Sequence, residues 1–155
     1  MKFVTREKAK VDRIACPWVI KRFVDKEAEF LFVPKEKVLE VAKKDGAIPF
    51  DTPGAEIFHY EERGEERVSF DAVIRKYKLT DPALLDLAEI VRGADANLAH
   101  PRAESAGLEA LAMGFRAVAK DDHENMRLQF PAYDALYSYC QQRLKDRTVL
   151  THTRA

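Results

Sequence analysis

Val11-Asp12-Arg13-Ile14-Ala15-Cys16-Pro17-Trp18-Val19-Ile20-Lys21-Arg22-Phe23-Val24-Asp25 is the stretch whose reading decides the fold. Pro17 suits the first position of a helix, where its missing N–H costs nothing, and Val19, Ile20, Phe23 and Val24 follow at the spacing of an apolar helical stripe. Short strand candidates flank it: Phe3 to Arg6 before, with a turn from Lys8, and Glu29 to Val33 after. The chain therefore opens strand, helix, strand. Lys35 to Lys44 reads as a second helix, with Val38, Leu39 and Ala42 on one face and a stop at Asp45-Gly46, where glycine takes the left-handed cap. Ala47 to Asp51 and Glu56 to Glu61 are strand candidates separated by the turn Thr52-Pro53-Gly54.

After Arg67 the pattern becomes helical. Ser69 is expected to cap a helix through Tyr77, Asp81-Pro82 to open another through Val91, and Glu104 to Ala119 to form a third. From Asp121 onward one or two more follow, with Pro131 expected to divide them. Strands early and helices late predict an α+β fold. Its N-terminal half is a small mixed β-sheet covered by helices on one face, and its C-terminal half is helical. The two halves meet near residue 68 within one domain spanning residues 1–155, because neither alone has much core.

The 155 residues suffice to bury about two thirds of the unfolded chain's surface without a covalent staple. The 26 basic and 26 acidic residues cancel and neither sign is concentrated, which argues against nucleic acid as the partner. No apolar run has membrane-spanning length, and Met1-Lys2-Phe3-Val4-Thr5-Arg6 lacks the features of a secretory signal, so a cytoplasmic protein is expected, with no membrane partner. Cys16 and Cys140 are far apart in sequence and expected to stay reduced.

Chemistry concentrates first around Cys16. At or near the N-cap of the Pro17 helix, its thiol would feel the positive end of the helix dipole with Arg13 close by, both favouring thiolate. Cys16 and Arg22 have the Cys-x5-Arg spacing of loops that hold tetrahedral oxyanions, although bulky Pro17-Trp18-Val19-Ile20-Lys21 reads as helix and separates them around its axis. Burial as a small apolar residue is the competing account of Cys16. His59, between aromatics in Ile57-Phe58-His59-Tyr60, suits a general base or a metal ligand. Asp121-Asp122-His123-Glu124 combines carboxylates with imidazole, though helix capping is the simpler explanation. Without a compact metal motif, ligands would have to converge from His59, Asp95, Asp122 and His123. Arg92-Gly93-Ala94-Asp95 pairs a guanidinium fork with a carboxylate on a turn suited to an oxyanion or to orienting a histidine. Tyr133, Tyr137, Tyr139 and Cys140 read mainly as a core face.

Asp12-Arg13-x-Ala15-Cys16-Pro17-Trp18, then Arg22-Phe23-x-Asp25 and Phe30-Leu31-Phe32-Val33-Pro34, resembles the chromate-resistance (ChrB-type) domain family. Further pieces follow in order over nearly the whole chain: Gly46 to Gly54 with Glu56 and His59, Ser69-Phe70-Asp71, Asp81 to Leu84, Ile90 to Asp95, Gly107-Leu108, Asp121-Asp122 and Tyr133 to Tyr137. Family members often carry histidine where this chain has Lys10, and cysteine where it has Val68. The resemblance implies a part in bacterial chromate resistance, as the sensing half of a regulator or as a free-standing accessory protein. In longer relatives a regulatory part precedes this region. A chain starting almost at the shared motif is expected to lack that part, and DNA binding with it.

Two functions fit these residues. In one, the protein binds an oxyanion or metal ion for sensing or detoxification, with Asp12, Arg13, Arg22, Arg92 and Asp95 as ligand-binding residues. In the other it is a redox enzyme acting on chromate or reactive oxygen species, with Cys16 and His59 catalytic and a transition metal ion as the cofactor its metal-dependent form would need. Either is compatible with a homo-oligomer.

Overall fold

A computed structural model describes the backbone of residues 1–154 and the side chains of residues 1–147. Strand β1 (Lys2–Arg6) is central in a three-stranded sheet, with β2 (Glu29–Val33) on one side and β3 (Ile48–Pro49) on the other. Both pairings are parallel: Phe3 lies opposite Phe30 and Ile48, and Val4 opposite Leu31 and Pro49. Helix α1 (Asp12–Phe23) connects β1 to β2, and α2 (Val38–Asp45) connects β2 to β3. Because strand side chains alternate, Phe3 enters the main core with α1, while Val4 enters a smaller cluster with Val38 and Ala42 of α2. The sheet is thus covered by helices on both faces, not on one as expected, and its centre, Phe3, Val4 and Thr5, is fully buried.

The α+β class stands, with two amendments. The expected mixed sheet resolves into this parallel sheet and a separate antiparallel hairpin, β4 (Tyr60–Glu62) and β5 (Glu65–Arg67). Between them the chain bends and turns instead of continuing as the expected strands, apart from a bridge of Phe50 to Ile57. Helices then follow: α3 (Ser69–Lys76), α4 (Pro82–Asp95), α5 (Ala103–Val118) and α6 (Asp122–Arg154). The core runs from Phe3 to Cys140 without a break at residue 68, so both halves share it.

Local signals account for several boundaries. Asp81 caps α4 by accepting from the Ala83 and Leu84 N–H groups at 2.9 and 3.4 Å, with Pro82 next. Gly46 ends α2 at φ 64°. The prolines mislead. Helix α1 starts at Asp12, five residues before Pro17, which lies inside it and leaves the Arg13 carbonyl without its helical partner. Pro131 likewise sits inside α6, ring exposed, and does not divide it. Ser69 is the first residue of α3 rather than its cap, a service performed by two aspartates. Asp71 accepts from the Val68 N–H at 3.0 Å, and Asp12, from α1, accepts from the Ser69 and Phe70 N–H groups at 2.6 and 3.1 Å.

Asp71 also takes both arms of the Arg92 guanidinium, at 2.8 and 3.0 Å, tying α3 to the last turn of α4. Removing it uncaps one helix and strands a half-buried cation. Asp71→Ala should cost about 2–4 kcal/mol of stability, read as a lower urea midpoint at unchanged slope; a loss below about 0.5 kcal/mol, the range of ordinary surface substitutions, would show the tie to be idle.

Candidate functional site

Three chain segments meet where α1 begins. Asp12 occupies the first turn of α1 and is 1% exposed. Asp51 follows β3, in a turn where its backbone is left-handed (φ 51°), a conformation aspartate tolerates better than most residues. Asp95 is the last residue of α4. Between their carboxylates sits His59, whose Nε2 lies 3.3 Å from Asp51 Oδ1, 3.3 Å from Asp95 Oδ2 and 3.6 Å from Asp12 Oδ2. Glu66 of the hairpin reaches to 4.0 Å from the other ring nitrogen. One imidazole therefore faces four acidic side chains.

The inner wall is fixed by hydrogen bonds. Asp12 is held at the N-terminus of α3, and Ser69 Oγ donates to Asp51 Oδ1 at 2.8 Å. Thr5 Oγ1 donates to the Phe50 carbonyl at 2.7 Å, and Arg6 Nε donates to the Asp51 carbonyl at 3.0 Å, so the Asp51 turn is fastened to β1. The outer wall, Asp95 and His59, is more open to water.

Electrostatics follow from this crowding. Hydrogen bonds to Asp51 and Asp95 raise the His59 pKa to about 10, against the opposing effect of burial. Burial raises Asp12 well above the ordinary carboxylate range, and repulsion from Asp95 and Asp51 adds to it. The Arg6 and Arg13 guanidiniums, each 3.4 Å from Asp51, and the His59 imidazolium offset this acidic crowding.

That field reverses the expectation for Cys16. The thiol is not at a helix N-cap but one turn inside α1, fully buried, on the face of Asp12. Burial raises its pKa well above the usual thiol value, and the carboxylates of Asp12, Asp51, Asp95 and Asp71 push further. It is a thiol, not a poised thiolate.

The arginines expected to line an anion pocket are each turned to acceptors. Arg13 faces Asp51 at 3.4 Å and donates to the Arg6 and Glu7 carbonyls. Arg22 makes a two-armed pair with Asp134, at 2.9 and 3.0 Å, on α6. Arg92 is bound to Asp71, as above. His123 and Asp122 also stand outside the cluster: His123 is exposed, its ring edge-on to Phe32, and Asp122 accepts from the Lys8 and Ala9 N–H groups at 2.9 and 2.7 Å, pinning the turn before α1. Of the expected metal ligands, His59 and Asp95 do converge. Asp12, expected among the ligand-binding residues, completes a set of three whose donor atoms all lie within 4.8 Å of one another.

Asp51 went unassigned in the sequence because its turn, Pro49-Phe50-Asp51-Thr52-Pro53-Gly54, announces backbone geometry and not a side-chain role. Glu66 gave no signal in a run of hairpin glutamates.

The elements that build this site are the ones the resemblance rested on, and a family model, ChrB, C-terminal domain, matches residues 3–140. The chain belongs to the ChrB C-terminal domain family. It is 33% identical over 138 residues to Protein ChrB of Cupriavidus metallidurans. That alignment covers 88% of this chain and 40% of the relative, so the chain spans less than half of that protein's length. No solved structure matches. In this ChrB C-terminal domain, Lys10 reaches Glu109 on α5 at 3.4 Å and Val68 is buried at the start of α3, so both departures from the usual family residues sit at structural contacts.

The raised pKa values set a sign for pH dependence. His59 titrates near its ordinary 6.5 when unfolded and at about 10 when folded, so its stabilising contribution is complete below pH 6.5 and is lost as pH rises through 10. Asp12, also raised on folding, contributes in the same direction. Urea-denaturation stability should therefore fall between pH 6.5 and 10, and His59→Gln should flatten that fall. A His59 imidazole NMR signal that titrates near pH 6.5 in the folded protein would contradict this electrostatic account.

Proposed function

We propose that this chain serves bacterial chromate resistance by binding a divalent transition-metal ion at Asp12, His59 and Asp95, with Asp51 beside them. Membership of the ChrB family supports the physiological setting, and one observation supports the ligand: an imidazole nitrogen within 3.6 Å of three carboxylates drawn from three separate segments. A cation entering there would take over the role of the His59 proton. Three donor atoms within 4.8 Å of one another are compatible with one ion, being spread over roughly twice a metal–ligand bond of about 2.1 Å. Carboxylates with one imidazole suit a hard or borderline first-row ion, such as manganese, iron or zinc, and not a soft one that prefers thiolate. The negative field at His59 favours this over oxyanion binding, because an anion would meet carboxylates first.

The chemistry assigned to the residues is modest. Asp12 and Asp51 provide a fixed, buried base for the ion, while Asp95 and His59 provide the side through which it enters and exchanges with water. Such a site suits a cytoplasmic accessory or sensing role, and it does not require the buried Cys16 thiol to react.

Calorimetric titration of purified protein with manganese and zinc salts tests the reading. Binding should release at least one proton, and because that proton leaves a group of pKa about 10, affinity should rise by about tenfold or more per pH unit between pH 6 and 8. His59→Gln should reduce the pH dependence, and Asp95→Asn should weaken binding by at least about tenfold, the effect of losing one charged ligand. No binding at millimolar metal, or binding unchanged in both variants, would overturn the proposal.

A further inference from the structure

A cleft of about 290 Å³ lies where the turn before α1 meets the connection from α5 to α6. Lys8, Arg116 and Lys120 stand on its wall, and among the described residues none of these three side-chain cations has an ion pair or a hydrogen bond. The acceptors on the same wall are turned inward. Asp122 accepts from the Lys8 and Ala9 N–H groups through its two oxygens, and Asp121 accepts from the Glu124 N–H at 2.8 Å. Asn125 is 2% exposed, donates to the Ala9 carbonyl at 3.0 Å and accepts from Gln129 at 2.7 Å.

Positive charge gathers around this opening. Arg13 adds to it: burial lowers its pKa, Asp51 opposes that, and the charges of Arg6 and Arg116 lower it further. Like charges held this close are relieved by an anion at hand. Lys8 is left-handed (φ 61°), a conformation that glycine or asparagine reaches more easily. A lysine at that turn is unfavourable for the backbone alone, and it places an ammonium on the cleft. The start of α6 contributes caps and not donors, since the Glu124 and Asn125 N–H groups are already bonded to Asp121. A ligand entering the cleft therefore meets side-chain cations.

We propose that this cleft binds a doubly charged tetrahedral oxyanion, free or as the terminal group of a small phosphomonoester, with Lys8, Arg116 and Lys120 as its donors. Arginine offers a fork of N–H donors matched to two oxygens of such an ion, and each ammonium supplies a compact charge to another. A singly charged ion would leave part of this charge unmatched, which favours the dianion. The volume is at the lower limit of small-molecule pockets, so an ester fits only if its organic part is small. All three cations are exposed, so salt screens the attraction and the affinity is millimolar. The cleft shares no residue with the Asp12, His59 and Asp95 cluster and takes an anion where that cluster takes a cation. Either reading can therefore fail without the other.

Titration of the protein with sulfate, inorganic phosphate and phenyl phosphate to about 20 mM, at constant ionic strength in chloride and followed by amide NMR shifts, tests this. All three anions should move the signals of Lys8, Arg116 and Lys120 with a saturable, millimolar dissociation constant. Phenyl phosphate bound at least about tenfold more tightly than phosphate would assign the ester, and a smaller difference the free ion. Between about pH 5 and 7 phenyl phosphate should gain up to about tenfold in affinity as it acquires its second charge near pH 6, whereas sulfate, doubly charged throughout, should not. Lys8→Gln and Arg116→Gln should each weaken binding about fivefold without lowering the thermal stability of the free protein, because neither cation has a partner in the fold. Lys43→Gln, on α2, should do neither. No saturable shift with any of the anions, shifts centred away from this cleft, or binding unchanged in both cleft variants would overturn the proposal.

Discussion

The buried carboxylate of Asp12 is the constraint on which the arrangement rests. It stands at the start of α1 and accepts from the first two N–H groups of α3, 57 and 58 residues away. A helix N-terminus favours an anion through both its orphan donors and its dipole. The same carboxylate is fully buried and close to Asp51 and Asp95, which raises its pKa well above normal. One group is thus required by the fold and strained by its surroundings. His59 relieves part of that strain as an imidazolium, and this dependence makes a folding contact and the proposed metal site the same object.

How much of this was legible depended on whether the decisive contact was local. The α4 start was readable because Asp81 caps residues two and three positions on, and the α2 end because Gly46 alone satisfies the left-handed turn. The α1 start was not, because Pro17 is an ordinary sign of a first helical position, while the true start is held by the turn that Asp122 pins from 114 and 113 residues away. Likewise Ser69 looked like a cap but spends its hydroxyl on Asp51, leaving the capping to Asp71 and Asp12. His59 and Asp95 were identified by residue type and motif. Their shared partner Asp51 was hidden, because a turn aspartate in sequence looks the same whether its side chain faces water or a site.

The direction of the field at Cys16 was the largest reversal, and it has a simple origin. Placing the thiol at a helix start would have surrounded it with N–H groups and Arg13. Moving the start back to Asp12 puts it one turn deeper, behind carboxylates, while Arg13 points out to Asp51 and the carbonyls of the preceding turn. Among the described residues, each of Arg13, Arg22 and Arg92 is committed to a specific aspartate, so counting arginines near a cysteine overstated the positive potential available.

The site is rigid on one side and adjustable on the other. Asp12 and Asp51 are buried and multiply hydrogen-bonded, and both rest on elements bound to the central strand β1 or to α3. Asp95 ends a helix, His59 lies in the irregular stretch just before β4, and Glu66 is on a two-stranded hairpin, an element of marginal stability on its own. Preorganised ligands reduce the ordering cost of binding, whereas movable ones admit and release what is bound. An ion at this centre would therefore draw the hairpin side toward a fixed base instead of reshaping the base. Occupancy would then be reported outward through His59 and Glu66 while the α1–α3 contact stayed as it is.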